Sequence, residues 1–235
     1  MENLENNEQA IPKEEDIDIN DIKQILLDDE ENTNKIDGSN KKVEEDKAKR
    51  QQKTILSYLH DFVFGLTAIL LLLMLIFRIV IVSGPSMKET LQNGDFLILL
   101  GKMFYSEPKY GDIVVASKDT YKNGEPIIKR VIATEGQEVN IDFVSGIVYV
   151  DGVPLDEPYT STPTNLFEGV SFPLIVKEGY VFVMGDNRND SKDSRSPEIG
   201  LIDRREILGK ALFIVFPGKD QISGKREFDR IGALR

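Results

Sequence analysis

The feature that most constrains this chain is an apolar run, Phe62 to Val82, in which Arg78 is the only charge. At 1.5 Å per residue, a helix of this length crosses the roughly 30 Å hydrocarbon core of a bilayer. A buried core helix is the competing reading, but core helices seldom run so long without polar residues. A cleaved leader would lie at the N-terminus and carry a shorter apolar stretch, so the run reads as an uncleaved anchor. Arg78 stands near one end, where its side chain can reach the interface. The chain therefore divides into a tail over residues 1–56, a transmembrane anchor helix over 57–82 and a folded domain over 83–235.

The tail holds the acidity. Residues 1–46 contain 16 Asp/Glu against 5 Lys/Arg, which accounts for the whole net charge of −11. The remaining chain is balanced and has no basic excess, which argues against nucleic acid as a partner. A segment so rich in Glu, Asp, Asn and Lys buries too little apolar surface to order itself, so the tail is expected to be disordered. Within it, Ile17, Ile19, Ile22, Ile25 and Leu26 have the spacing of a short amphipathic helix. Lys42, Lys47, Lys49, Arg50 and Lys53 precede the apolar run, whereas only Lys88 and Lys102 follow it closely. The basic flank stays in the cytoplasm, so the expected product is a single-pass protein of the cell membrane with residues 83–235 outside.

The outer part reads as mainly β. Apolar, β-branched runs separated by turn residues occur at Phe96–Leu100, Ile113–Ala116, Ile127–Ala133, Ile147–Val150, Tyr180–Met184 and Ala211–Phe216. Asp151-Gly152, between Val148-Tyr149-Val150 and Val153, is a hairpin turn signal. The chain has no Cys and a single His, His60, beside the apolar run. Disulfides, thiol nucleophiles and cysteine zinc sites are thereby excluded, and a Ser–His–Asp triad or histidine zinc site lacks its His in the folded domain. No metal or cofactor is expected. Hydrolytic chemistry would have to use Ser, Thr, Lys, Asp or Glu.

Four islands carry candidate chemistry: Gly84 to Leu91, Gly111 to Val115, Ile127 to Ala133, and Gly185 to Arg195. In a strand through the third, Ile127, Lys129 and Val131 share one face. An ammonium among β-branched neighbours loses hydration, its pKa falls, and its neutral amine can take a proton from a hydroxyl. The alternative is an edge-strand lysine that faces water. Ser86 follows a Gly84-Pro85 turn between the apolar run and the first strand, and taken alone it reads as an ordinary turn serine. The fourth island is either a solvated polar loop or a scaffold whose hydroxyls and ion pairs fix a nearby lysine. Ser106-Glu107-Pro108-Lys109 fits S-x-x-K, but Pro108 opposes the helix that pattern needs. Asp186-Asn187-Arg188 opens like a calcium loop, yet Arg188 stands where an oxygen ligand is required.

Together and in this order, the islands resemble the type I signal peptidases, in the short single-anchor form of Gram-positive bacteria. The resemblance runs from about residue 57 to Phe216. It implies an antiparallel β-sheet catalytic domain with an apolar surface at the lipid bilayer. It implies a serine endopeptidase that removes signal peptides from exported preproteins through an acyl-enzyme. In that comparison Ser86 corresponds to the nucleophile, Lys129 to the general base and Ser191 to the hydroxyl that orients the lysine. Asp193 and Arg195 correspond to an ion pair holding the loop, Arg130 and Asp186 to further scaffold positions, and Met87 and Ile128 to residues beside a shallow pocket for small side chains. The implied partners are signal peptides with small residues at the first and third positions before the cut, the bilayer and the secretion machinery. Glu89 departs from the family motif, which usually has Pro there. Gly84 replaces a Ser that in some relatives helps stabilise the oxyanion, and its backbone N–H is a candidate substitute. The competing functions are a catalytically inactive relative that binds signal peptides or serves envelope assembly, and a self-cleaving relative of the SOS repressor type.

Overall fold

The computed structural model describes residues 19–220 and 223–234. Its contacts divide the chain into two units, one up to Thr67 and one from Ala68 onward. The first eighteen residues of the expected tail lie outside the described residues, and so do the side chains of the amphipathic stretch beginning at Ile17. From Ile19 the chain is helical, and helix α1 spans Ile19–Ile76. Its portion Lys49–Ile76 is long and apolar enough to cross a membrane, and none of its apolar window is buried.

The anchor helix expected over 57–82 ends at Ile76, which corrects the C-terminal boundary. Phe77–Ile81 is strand β1 instead. The reason is local chemistry combined with pairing. Ile79, Val80 and Ile81 form a β-branched run, which loses side-chain freedom in a helix and suits a strand. Strand β2, Phe96–Gly101, pairs with it antiparallel from Phe77 opposite Leu100 to Ile81 opposite Phe96. Ser86 therefore follows a strand and a turn, not the end of the helix.

The mainly β expectation holds. The remaining strands are β3 (Ile113–Ala116), β4 (Ile127–Thr134), β5 (Glu138–Asp142), β6 (Ile147–Val150), β7 (Val153–Pro154), β8 (Leu174–Ile175), β9 (Tyr180–Met184), β10 (Ile202–Asp203), β11 (Ile207–Phe216) and β12 (Gly232–Ala233). One antiparallel sheet runs β1-β2-β11-β3-β4-β9-β10, with β12 also on β11. A smaller sheet runs β7-β6-β5-β8. Val150 pairs with Val153 across Asp151-Gly152, and both turn residues have positive φ, 51° and 76°. That conformation is why Asp-Gly suits a two-residue hairpin. Ser106 to Lys109 is irregular, as Pro108 requires.

Three apolar clusters hold these layers. Met87, Leu91, Leu97, Leu99, Val115 and Ala211 form one under the Ser86 turn. Val139, Ile141, Val148 and Phe182 pack the small sheet against β4 and β9. Val114, Val131, Val183 and Ile207 form the third. The C-terminal segment is tied back by Arg230, which forks onto buried Asp95 at 2.7 and 3.0 Å. Asp95 also accepts the Gln92 and Gly218 N–H groups.

Candidate active site

Strand β4 lies between β3 and β9, so Lys129 is not on a sheet edge. It pairs with Val114 and shares a face with Ile127 and Val131; Val114 and Val131 belong to the third apolar cluster and Ile127 packs against it. Only 4% of the residue is exposed. The water-facing alternative is thereby removed. Its Nζ lies 2.7 Å from Ser86 Oγ and donates to the Ile128 carbonyl at 3.1 Å. Burial pushes the Lys129 pKa down to about 8 from 10.5. Asp193, Asp186 and Glu168 oppose that fall, and Arg195 adds to it.

The Ser86 turn is pinned from two sides. The Asn187 N–H donates to Ser86 O at 3.1 Å, and Asn187 Nδ2 donates to Pro85 O at 3.2 Å. Gly185 allows this approach, because a Cβ there would stand 2.4 Å from Ser86 O and 2.1 Å from Ser191 Oγ. The Gly84 N–H is already bonded to Asn93 Oδ1 at 3.0 Å, so it is not a free donor for an oxyanion. Glu89 has φ of 70°. Proline cannot take that conformation, so this turn is built differently from one carrying the family's usual Pro.

The Gly185–Arg195 loop is a dense buried network. Arg195 grips Asp193 through Nε and Nη2, each at 2.8 Å. Asp193 Oδ2 also accepts the Gly185 N–H and the Ser191 hydroxyl, both at 2.9 Å. Ser191 thus bonds to Asp193 and not to Lys129 in this arrangement. It stands beside the serine–lysine pair across Gly185. Arg130 points to the other face of β4 and forks onto Asp186 at 2.9 and 2.7 Å, both groups fully buried. Thr90 Oγ1 donates to the same Asp186 carboxylate at 2.5 Å, joining the Ser86 turn to that pair.

Sequence reasoning missed several of these partners. Arg188 forks onto Glu157 at 2.6 and 2.5 Å, and Tyr159 lies under the Arg130 guanidinium at 4.0 Å. Their partners come from distant segments, so no local pattern signals them. The Asp-Asn-Arg run did signal a charged loop, but not which carboxylates it meets.

A groove of about 370 Å³ opens over the pair. Val82, Met87, Ile127 and Ile128 give it apolar walls, while Tyr121, Lys122 and Lys192 form part of its rim. Met87 is 1% exposed and belongs to the core, so it is a fixed wall. Lys192 is held by Glu198 at 2.7 Å, away from a role as base. Among the described residues no group of three or more His, Cys, Asp or Glu side chains could hold a metal ion. A buried amine poised on a hydroxyl, beside an apolar groove, can generate an alkoxide-like nucleophile for acyl transfer.

The family model described as "Signal peptidase, peptidase S26" matches residues 55–216. Signal peptidase I T of Bacillus subtilis (strain 168) is 35% identical over 72% of this chain and 90% of its own length. Signal peptidase I of Bacillus licheniformis is 32% identical over 74% and 95%. The probable signal peptidase I-1 of Synechocystis sp. (strain ATCC 27184 / PCC 6803 / Kazusa) is 40% identical over 58% and 69%. With a match over most of its length and relatives of this identity and coverage, the chain belongs to the signal peptidase family, peptidase S26.

Proposed function

We propose that this chain is a membrane-anchored serine endopeptidase that removes N-terminal signal peptides from exported preproteins, with Ser86 as nucleophile and Lys129 as general base. The observation that carries this reading is the 2.7 Å contact between Ser86 Oγ and the buried Lys129 Nζ. Neutral Lys129 takes the Ser86 proton as Oγ attacks the scissile carbonyl. The resulting ammonium gives that proton to the departing amine, leaving an ester on Ser86. Lys129 then takes a proton from water as the water oxygen attacks the ester carbonyl, and the ammonium returns that proton to Ser86 Oγ as the ester bond breaks, releasing the signal peptide with its new C-terminal carboxyl group. The Ser86 backbone N–H has no acceptor among the described residues, which suits it to the oxyanion.

Substrate choice follows from the groove. The walls at Met87 and Ile128 favour small side chains, typically Ala, at the first position before the cut, and the third position carries the same preference. As a membrane-anchored enzyme it meets preproteins in company with the secretion machinery that delivers them.

The test is turnover of one preprotein by the purified full chain in detergent. Ser86→Ala and Lys129→Ala should each abolish cleavage. Lys129→Arg should fail as well, since arginine keeps its proton in proteins. A substrate with Phe in place of Ala at the first position should resist the wild type. Full activity in Lys129→Ala, or equal cleavage of the Ala and Phe substrates, would refute the corresponding part.

A further inference from the structure

The Ser86 N–H, without an acceptor among the described residues, belongs to the same peptide unit as the Pro85 carbonyl. That unit is trans, so its N–H and C=O lie in one plane and point in opposite directions. Whatever holds the Pro85 oxygen therefore aims the Ser86 N–H.

Two donors hold that oxygen. The Lys88 N–H reaches it at 2.9 Å and closes the turn from Pro85 to Lys88. Asn187 Nδ2 reaches it at 3.2 Å. The first bond is local and moves with the turn, whereas the second ties the peptide to the Gly185–Arg195 loop. The Asn187 backbone N–H also donates to Ser86 O at 3.1 Å. One residue thus grips the peptides on both sides of the nucleophile. Its neighbour Asp186 is forked by Arg130, which adjoins Lys129 on β4. The direction of the Ser86 N–H is thereby referenced to the strand that carries the base.

That direction matters more in this chain than in a relative with a serine at position 84. Gly84 has no hydroxyl to offer, and its N–H is taken by Asn93 Oδ1 at 3.0 Å. A donor on a carbonyl oxygen also polarises the amide and strengthens its N–H as a donor.

We propose that the Asn187 side chain is a positioning residue that aims and polarises the Ser86 N–H for the oxyanion by holding the Pro85 carbonyl. This role rests on the Ser86 N–H being the oxyanion donor, as proposed above. It acts as charge develops on the substrate carbonyl oxygen, so it belongs to kcat and not to KM.

Asn187→Ala keeps the backbone N–H and removes the amide. Its kcat on a preprotein should fall roughly ten- to thirtyfold with KM unchanged, less than the ~10²–10³ for a donor lost outright. The loss is partial because the bond is solvent-exposed, and water can take the place of the amide. Asn187→Asp keeps the shape without the donor and should lose at least as much. A peptide boronic acid ending in Ala forms a tetrahedral adduct on Ser86 Oγ, and its affinity should fall by the same factor as kcat. The matching peptide carboxylate forms no adduct and should bind both variants as it binds the wild type. NMR of ¹⁵N-serine-labelled full chain in detergent reads the donor itself. The boronic acid should move the Ser86 amide proton downfield in the wild type, and less in Asn187→Ala. Equal weakening of boronic acid and carboxylate is what a merely structural role produces, and it would overturn the proposal. Wild-type kcat in Asn187→Asp, or a full Ser86 shift in Asn187→Ala, would overturn it as well and leave the Ser86 N–H as donor. No Ser86 shift in the wild-type adduct would instead remove the Ser86 N–H from the oxyanion, and the role of Asn187 with it.

Discussion

At the scale of one residue, Lys129 works against stability in order to be reactive. Its pKa is about 8 in the folded chain and near 10.5 when solvated. Between those values the unfolded chain binds more protons, so stability rises with pH across that interval. Below about pH 8 the full penalty applies, on the order of 3 kcal/mol for a shift of this size. Lys129→Met keeps most of the stem and removes the charge. It should therefore raise the melting temperature at pH 7, and its advantage over wild type should shrink between pH 8 and 10.5. Thermal melts of the two proteins in detergent at pH 7 and pH 10 check this. An advantage that does not change with pH would mean that burial does not lower the Lys129 pKa. Glu89 also works against stability. Its positive φ is unfavourable for a side chain with a Cβ, and glycine would relieve it.

At the scale of elements, the site depends on how closely the end of β9 approaches the Ser86 turn. Gly185→Ala places a methyl group against Ser86 O, Ser191 Oγ and Ser191 Cβ at once. Overpacking of this kind costs about 1–3 kcal/mol, and the displaced turn should lose most of its activity. Adding Ser191→Gly clears two of the contacts but leaves Ser86 O, so it should restore stability only in part. Chemical denaturation alongside turnover measures both, and a Gly185→Ala protein with wild-type activity would sink the account. The strands themselves were largely legible, because β2, β3, β4, β6 and β9 are runs of β-branched and aromatic residues bounded by turns. Strand β5 was not, since Glu138, Asn140 and Asp142 dilute the two buried positions, Val139 and Ile141, that fix it. Strand β1 was hidden because Phe77–Ile81 is as apolar as the helix before it, and only its pairing with β2 decides its state. Ser86 and Lys129 stood out within short patterns, and the fold brings them together. Glu157, Tyr159 and Glu168 carried no pattern, because their significance comes from arginines that the chain meets only after folding.

At the scale of the whole molecule, the strongest asymmetry is that of charge about the apolar run. Lys47, Lys49, Arg50 and Lys53 cluster on α1 just before its apolar stretch, whereas Arg78, Lys88 and Lys102 are spread thinly beyond its end at Ile76. Asp and Glu weigh little in the orientation of a span, so the acidic tail does not offset this bias. The N-terminal side is therefore expected in the cytoplasm and the β unit outside, where preproteins emerge. Protease added to intact spheroplasts decides it, provided the outer unit offers a place to cut. The exposed turn at Lys122-Asn123-Gly124 is such a place, and trypsin should nick it without lysis. An epitope on the N-terminus should survive the same treatment and vanish once the spheroplasts are opened. Loss of the epitope in intact cells, with Lys122 spared, would put the chain the other way round. The serine–lysine pair would then face a compartment in which no translocated signal peptide waits, and the proposed function would fall with the topology.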